Sequence, residues 1–280
     1  MHETISLPLR LVFTDLDGSL LDHHDYGWEP ARPWLERLAA AGMPVIPVTS
    51  KTRAELLPLR QALGLEQTPF IAENGAIIGL PAAWQHARLD RDPANVDELR
   101  VKVLSVDSDF LMRRLAVIRE RLGVAFRCLP DMTTEAIIEA TGLDAVRAGQ
   151  AREREGSIPL LWDDSEAMLD AFRTLLANDD LVLTQGGRFW HVMGNIDKGR
   201  AVSWLVARLG ALRGVAPWSL GLGDGPNDVA LLNACDAAVL IRSMHSHPVE
   251  IDHPRLYRTM ETGPRGWAEG MEHWLGQELA

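Results

Sequence analysis

The feature that most constrains the fold is a series of short apolar segments near the N-terminus, separated by helical patterns. LRLVFT at residues 9–14 and PVIPVTS at residues 44–50 are apolar at most positions, which is typical of strands buried on both faces. Apolar residues recur at helical spacing over 30–41 and 53–63. A third apolar segment, PFIAENGAII at residues 69–78, follows. The alternation predicts an α/β fold built on a Rossmann-like, doubly wound parallel sheet.

The ends of these strands are expected to lie together. Right-handed crossovers between parallel strands bring the loops after Thr14, Val48 and Ala72 to one edge of the sheet. Near the C-terminus the same pattern returns, with the apolar segment PWSLGLG ending just before Asp224 and the segment AAVLI at 237–241. Open α/β sheets bind ligands at the edge formed by the carboxyl ends of their strands.

The middle of the chain has a different pattern. Helical stretches at 108–122 and 165–177 alternate with short strands and polar breaks. We therefore predict that residues 89–187 form an inserted α+β cap that selects the substrate. Residues 1–88 and 188–280 would then form the core.

Charge and composition limit the partners. Lys and Arg number 28 against 39 Asp and Glu, a net charge of −11, which argues against nucleic acid as a partner. The two cysteines, Cys128 and Cys235, lack a CxxC spacing and suit a reducing compartment. No apolar run approaches the roughly 20 residues that span a bilayer, and the N-terminus does not resemble a signal peptide. These features predict a cytoplasmic protein without a membrane partner and leave the oligomeric state open.

The sharpest motif is TDLDGSLL at residues 14–21. Asp15 and Asp17 stand two residues apart at the predicted end of a buried strand, and strand alternation would direct both to the same side. Taken alone, the motif could equally be an Asp-Gly turn with two solvated carboxylates.

Other polar residues at predicted strand ends or helix starts favour a functional site over a solvated turn. Each has an ordinary structural explanation, because Ser and Thr often cap helices and GxGDG can be a plain turn. Together they would place carboxylates, hydroxyls and amines at one edge of one sheet. These residues are Thr49, Ser50, Lys51, Lys198, Asp224 and Asp228.

This set of groups is what phosphoryl transfer through an aspartyl-phosphate requires. Mg²⁺ prefers hard oxygen ligands, which the carboxylates of Asp15 and Asp224 and the backbone carbonyl of Asp17 could supply. Asp15 would attack phosphorus, and Asp17 would protonate the leaving alkoxide and later deprotonate the hydrolytic water. Thr49 and Lys198 would hold the phosphoryl oxygens.

Asn227 and Asp228, which follow Asp224 in the same motif, complete the predicted core site. Asp228, with Asn227, suits a supporting role in which it orients a metal-bound water or Lys198.

The motifs resemble those of the haloacid dehalogenase-like superfamily in their order along the chain: DxDG, a strand-terminal Thr or Ser, a Lys and GDGxND. Within it, the chain is similar to the mannosyl-3-phosphoglycerate phosphatases. The segments that carry this resemblance are TDLDGSLLDHHDY, PVTSKTRAEL, FIAENGAII, GGRFWHVMG, NIDKGRA, GLGDGPNDVALL and TGPRGW.

The resemblance implies a magnesium-dependent phosphatase for a small phosphorylated sugar. The preferred substrate is mannosyl-3-phosphoglycerate or its glucosyl relative, cleaved to the glycosylglycerate and phosphate. Candidate substrate-binding residues are Thr49, Ser50, Lys51, Asn74, Arg154, Arg188 and Asn227. The cap departs from the family at Gly156 and Ile158, where the family carries an aromatic and an acidic residue.

Two alternatives remain open. A sugar phosphomutase would use the same aspartyl-phosphate but return the phosphoryl group to a second hydroxyl. A non-catalytic binding module could share the fold, although it would have no reason to keep Asp15, Asp17, Lys198 and Asp224.

Overall fold

The computed structural model describes residues 9–87, 89–90, 94–96, 99–186, 189–243 and 249–279. The chain divides into two compact units. We call Met1–Val48 with Gly199–Ala280 the core unit, and Thr49–Lys198 the inserted unit.

The core unit is built on a five-stranded sheet in which every strand pairs in parallel with its neighbours. The strand order is β13-β12-β11-β1-β2. The strands are β1 (Arg10–Thr14), β2 (Val45–Pro47), β11 (Trp218–Gly223), β12 (Ala237–Arg242) and β13 (Leu256–Thr262).

The helices of this unit follow the predicted alternation with the strands. In β1, which lies between β11 and β2, the side chains of Leu11, Val12 and Phe13 are all fully buried, so both faces of the sheet are covered there. Helix α1 buries Trp34 and Leu38 on one side. The helices are α1 (Arg32–Ala40), α7 (Lys198–Arg213), which starts with the last residue of the inserted unit, α8 (Val229–Asn233) and α9 (Gly263–Leu275).

The inserted unit contains two antiparallel four-stranded sheets. One has the order β3-β4-β6-β5 and the other the order β7-β8-β10-β9. The strands of the first are β3 (Phe70–Ala72), β4 (Ile77–Leu80), β5 (Ala94–Val96) and β6 (Leu99–Val103). Those of the second are β7 (Phe126–Cys128), β8 (Ser157–Trp162), β9 (Leu181–Gln185) and β10 (Trp190–Gly194).

A hydrophobic cluster holds the second sheet to helices. It combines Leu115 and Phe172 from helices with Ile158 and Val192 from the sheet. Asp107 and Ser165 cap two of these helices with side-chain hydrogen bonds, as is common at helix starts. The helices of the unit are α2 (Arg53–Ala62), α3 (Ser108–Leu122), α4 (Thr134–Thr141), α5 (Ala145–Arg152) and α6 (Glu166–Ala177).

The predicted α/β architecture, a parallel core sheet with an inserted α+β unit, is confirmed. One strand assignment is wrong. Residues 69–78 do not add a strand to the parallel sheet, because β3 runs antiparallel to β4 in a separate sheet. The tight turn at Asn74–Gly75 causes this reversal, since both residues have positive φ. The boundaries 89 and 187 of a substrate-specificity cap stay a prediction.

Two further sequence expectations concern the whole chain. Within the described residues, no helix has the length and apolar character to cross a membrane. Cys128 and Cys235 are both free thiols and both buried.

Candidate active site

Three carboxylates meet at the carboxyl end of the core sheet. Asp15 follows β1 and Asp224 follows β11, and these two strands are paired with Thr14 opposite Leu222. The backbone N–H of Asp15 donates to Leu222 O at 2.9 Å, which continues the ladder past the strand end. One carboxylate oxygen each from Asp15, Asp224 and Asp228 lies within 4.8 Å of the others, and all three residues are buried. We call these three residues the carboxylate cluster.

Asp228 fixes the loop that carries Asp224. Its Oδ2 accepts hydrogen bonds from the backbone N–H of Asp224 at 3.1 Å and of Gly225 at 3.0 Å. The side chain is 1% exposed. Asn227 lies between them, half-buried in the short 3-10 turn Pro226–Asp228. Asp228 therefore orients Asp224 through the backbone as well as belonging to the cluster.

Two serines hold the Asp224 carboxylate. Ser19 Oγ donates to Oδ1 and Ser243 Oγ donates to Oδ2, each at 3.3 Å. The sequence reasoning missed both. Ser19 could have been found from its place in the motif after Asp17, whereas Ser243 follows β12, the strand next to β11, and carries no motif of its own.

Asp17 lies in the turn after β1 and not on the strand. The strand ends at Thr14, and Leu21 N–H donates to Leu16 O at 2.8 Å to close the turn. Strand alternation therefore does not set the direction of the Asp17 side chain, because Asp17 lies in the turn. That Asp15 and Asp17 point to the same side stays a prediction.

Gly18 allows this turn to approach the cluster. Its φ is +82°, a left-handed conformation that favours glycine. A Cβ at this position would lie 2.6 Å from Asp224 Oδ2, which is too close for any side chain. The glycine of the motif is thus required by the closeness of the turn to Asp224.

The strand end is also held from the C-terminal helix. Trp267 Nε1 on α9 donates to Thr14 Oγ1 at 2.9 Å, and Thr14 Oγ1 donates to Asp15 O at 2.6 Å. Thr14 and Trp267 are fully buried. This chain of hydrogen bonds fixes the backbone at the residue that carries the first carboxylate.

The inserted unit groups several of the other predicted residues. The loop 49–51 is bonded to the β3–β4 turn, with Asn74 N–H donating to Thr49 O and Glu73 N–H donating to Lys51 O, both at 2.9 Å. Lys51 N–H donates to Thr49 Oγ1 at 3.1 Å. Ser50 and Lys51 are half-buried.

Asn74 is the most unusual of these residues. It adopts φ 55° and ψ 30°, and only 2% of it is exposed. Both atoms of its side-chain amide lack a hydrogen-bond partner among the described residues. Because buried amides are normally satisfied, this side chain is suited to binding a ligand.

Lys198 lies next to this turn. It begins α7 and is 1% exposed. A Cβ on Gly75 would lie 2.3 Å from Asp197 O and 3.2 Å from the Lys198 backbone nitrogen, so the turn packs directly on the helix start. The turn that carries Asn74 and the start of α7 at Lys198 are therefore in contact within the inserted unit.

Arg154 has internal partners in the structure. Its Nη1 donates to Ser50 O at 2.8 Å and its Nε to Ala151 O at 2.9 Å. Nη2 is 3.9 Å from a Glu55 oxygen, and the side chain is 6% exposed. Arg154 thus ties helix α5 to the loop 49–51, while its contact with a substrate stays a prediction. Arg188, the other predicted cap cation, lies outside the described residues.

Glu73 is a buried carboxylate that the sequence reasoning did not single out. It accepts hydrogen bonds from the N–H groups of Glu155 and Gly156, at 2.8 and 3.1 Å, and from Ser157 Oγ at 2.7 Å. It is fully buried and has φ 51°. It therefore fixes the start of β8 to the β3–β4 turn.

The two positions that depart from the resembled family are packing positions in this chain. A Cβ on Gly156 would lie 2.9 Å from the Ala76 side chain, so an aromatic residue would not fit without a backbone shift. Ile158 is fully buried in the cluster with α3 and α6. An acidic group at residue 158 would be buried away from water, so an apolar side chain suits this position.

Comparisons with known proteins agree with this architecture. Residues 12–100 match a family model described as haloacid dehalogenase-like hydrolase. A haloacid dehalogenase-like hydrolase from B. subtilis is 18% identical, with a TM-score of 0.66 over 95% of this chain and 99% of that one.

Two phosphatases of the same superfamily are similar in structure. One, from Bacteroides thetaiotaomicron, is 16% identical with a TM-score of 0.66, covering 98% of this chain and 97% of its own. The other, a subclass IIB sugar phosphatase, is 16% identical with a TM-score of 0.65, covering 95% and 98%.

The fold, a parallel core sheet with an inserted α+β unit, is that of these similar structures. The haloacid dehalogenase-like hydrolase model matches residues 12–100, a part of the chain that includes Asp15.

Proposed function

We propose that this protein is a magnesium-dependent phosphatase that hydrolyses a sugar-type phosphomonoester through an aspartyl-phosphate. The observation that carries the proposal is the carboxylate cluster, with Asp17 two residues after Asp15 in the same turn. The structural likeness to a subclass IIB sugar phosphatase supports a sugar phosphate as the substrate class. The preferred substrate is mannosyl-3-phosphoglycerate or glucosyl-3-phosphoglycerate.

The chemical step begins with Asp15. Its carboxylate oxygen attacks phosphorus, the bond from phosphorus to the leaving oxygen breaks, and Asp17 gives that oxygen its proton. A water then attacks the aspartyl-phosphate, Asp17 takes the proton from this water, and the Asp15 carboxylate is released with inorganic phosphate. The hydrogen bonds from Trp267 to Thr14 and from Thr14 to Asp15 O hold the Asp15 backbone while the aspartyl-phosphate forms and while it is hydrolysed.

The carboxylate cluster fits Mg²⁺, which takes oxygen ligands and binds through a small number of carboxylates. Asp15 and Asp224 would hold the ion with the backbone carbonyl of Asp17, and Asp228 would orient Asp224. When bound, the ion supplies positive charge that offsets the charge of the phosphoryl group.

The inserted unit provides groups for the phosphoryl oxygens. Lys198 supplies a buried positive charge and Thr49 a hydroxyl. Asn74 supplies an amide without a hydrogen-bond partner among the described residues, which a phosphoryl oxygen would satisfy. Donors placed before the reaction stabilise charge that develops in the transition state.

Phosphate release tests the proposal. The purified protein is assayed with p-nitrophenyl phosphate, sugar phosphates and glycosyl-phosphoglycerates, with Mg²⁺ and with excess chelator. We expect release only with Mg²⁺. Asp15→Asn should abolish it, because an amide cannot act as the nucleophile, whereas Asp170→Asn on the exposed face of α6 is the matched control. Release by a folded Asp15→Asn protein at the wild-type rate would contradict the mechanism.

The same assay separates the alternatives. A sugar phosphomutase would accumulate an isomeric phosphate ester without free phosphate. A binding module would give neither product, and would retain affinity for the ester.

A further inference from the structure

Three consecutive residues of the β3–β4 turn have a left-handed backbone. The φ angles are 51° for Glu73, 55° for Asn74 and 106° for Gly75. Glycine adopts this conformation readily, but for Glu and Asn it costs free energy. Such a backbone persists only where surrounding contacts hold it, and residues of this kind are concentrated at functional sites. The turn therefore depends on the contacts that anchor it.

The side chain of Glu73 anchors the turn to the start of β8. It is fully buried, and it accepts hydrogen bonds from Glu155 N–H at 2.8 Å, Gly156 N–H at 3.1 Å and Ser157 Oγ at 2.7 Å. Burial of a carboxylate is costly unless donors replace its water, and here three donors do so. These bonds fix the Glu73 side chain and restrain the backbone that it shares with Asn74.

The turn is also held on two other sides. The backbone N–H groups of Glu73 and Asn74 each donate to a carbonyl of the loop 49–51 at 2.9 Å. A Cβ on Gly75 would lie 2.3 Å from Asp197 O, so the turn is closely packed against the start of α7. The strand β8, the loop 49–51 and the start of α7 therefore support the turn together.

The side chain that this turn carries is that of Asn74. It is 2% exposed, and its amide nitrogen and oxygen have no hydrogen-bond partner in the described part of the chain. Buried amides are otherwise almost always paired. The backbone conformation and the unpaired amide both cost free energy, as expected for a group held ready for a ligand.

Glu73 itself is unsuited to contact a phosphoryl group. Its carboxylate has the same sign of charge, and its oxygens already accept three hydrogen bonds. Any effect of Glu73 on phosphoryl binding must therefore pass through a neighbour. Asn74 is the adjacent residue, and its amide N–H₂ group can donate to an anionic oxygen.

We propose that Glu73 is a positioning residue, whose carboxylate holds Asn74 in the left-handed conformation that presents its amide to a phosphoryl oxygen. This inference rests on the proposed phosphatase function. It adds that the affinity for the phosphoryl group depends on the three donors of residues 155–157, which act on it through Glu73.

A double-mutant cycle measures whether Glu73 acts through Asn74. Glu73→Gln keeps the size of the side chain but replaces one acceptor oxygen with an N–H₂ group. Asn74→Gly removes the side-chain amide and tolerates the left-handed backbone. The wild type, the two single variants and the double variant are titrated with inorganic phosphate and Mg²⁺ by calorimetry. Unfolding of each protein in urea is measured in parallel.

We expect Asn74→Gly to weaken phosphate binding about tenfold, because a hydrogen bond to a charged group is lost. Glu73→Gln should weaken binding about fivefold to tenfold when Asn74 is present, and less than about twofold in the Asn74→Gly background. Its effect on unfolding should persist in both backgrounds, because the bonds to the start of β8 are weakened in each. A purely structural role would lower the affinity equally with and without the amide.

Two further variants complete the experiment. Ser157→Ala removes one of the three donors to Glu73 and should weaken phosphate binding about twofold to threefold. It takes the place of Glu73→Gln in the cycle if that variant does not fold. Ile158→Val shortens the next, fully buried side chain of β8 without removing a donor, and as the matched control should keep the wild-type affinity.

Three outcomes would overturn the inference. One is a wild type that does not bind phosphate. Another is a folded Glu73→Gln protein with the wild-type affinity. The third is an equal loss of affinity from Glu73→Gln with and without the Asn74 amide. If the cycle gives the expected coupling but the wild type releases phosphate from no ester, the proposed function fails while the role of Glu73 stands.

Discussion

His191 should make the folded protein sensitive to acid by an amount that can be calculated. Burial and two neighbouring cations lower its pKa from 6.5 to about 3. Below pH 6.5 the unfolded chain therefore binds a proton at this residue and the folded chain does not, so the free energy of unfolding falls with pH. The loss is about 1.4 kcal/mol per pH unit until the pH approaches 3, and reaches about 2 kcal/mol at about pH 5.

The measurement compares urea unfolding of the wild type and of His191→Phe at about pH 8 and about pH 5. Other groups titrate over this range, but they are common to both proteins, so they cancel in the difference. We expect the free energy of unfolding of the variant to depend on pH less than that of the wild type, by about 2 kcal/mol.

A second variant distinguishes titration from packing. His191→Asn also cannot bind a proton, and should lose the same pH dependence while keeping a polar side chain. An unchanged pH dependence in both variants, within about 0.5 kcal/mol, would refute the reasoning. So would an effect confined to His191→Phe.

Three further predictions concern buried contacts near the proposed site. Glu73→Gln replaces a carboxylate that accepts three hydrogen bonds with an amide that has one acceptor oxygen, and should lower the free energy of unfolding in urea by about 1.5–3 kcal/mol. A loss under about 0.5 kcal/mol would contradict this role. Gly18→Ala introduces a Cβ against Asp224 Oδ2 in a left-handed turn, and should reduce phosphate release at least about tenfold, with a stability loss of about 1–3 kcal/mol. Phosphate release at the wild-type rate would show that the turn relaxes without cost. Trp267→Phe removes the donor to Thr14 Oγ1 and should lower stability by about 1 kcal/mol, measured by urea unfolding. Its kcat for p-nitrophenyl phosphate should also fall, and a full kcat with reduced stability would limit Trp267 to a structural role.

The strand pattern predicted the core well because buried strands carry a strong signal. Residues 9–14 are apolar on both faces, and the structure has β1 at Arg10–Thr14 with three fully buried side chains. The helix predicted over 108–122 is α3 with the same limits, since Asp107 caps its start and Gly123 ends it. Apolar runs and helix-capping residues can be recognised because each depends on only a few adjacent residues.

The errors arose where the chain pairs over a distance or where a turn decides the geometry. An apolar run such as residues 69–78 reads the same in a parallel or an antiparallel sheet, so its partner could not be inferred. The elements β13 and α9 were not predicted, because LYRTMET is half exposed and α9 begins with Gly and Pro.

The candidate site also contains residues that local sequence could predict and residues whose roles depend on distant contacts. Asp15 and Asp224 could be grouped from the sequence because each directly follows a strand of one sheet. Ser243 and Glu73 could not, since their roles depend on contacts with Asp224 and with the start of β8. Among the described residues, His191 Nδ1 and the side-chain amide of Asn74 have no hydrogen-bond partner, which no local sequence pattern could indicate.

The order of the core strands has a consequence for how the protein is made. β1 leaves the ribosome before its neighbour β11, which follows on the order of 200 residues later. At about 5–20 residues per second, β1 waits for roughly ten seconds or more with β2 as its only available partner from this sheet. The inserted unit is continuous in sequence and can be completed during that interval. The segment that carries Asp15 is therefore translated well before its site can be assembled, and no nascent chain has Asp224 beside Asp15 until the inserted unit between them has been made.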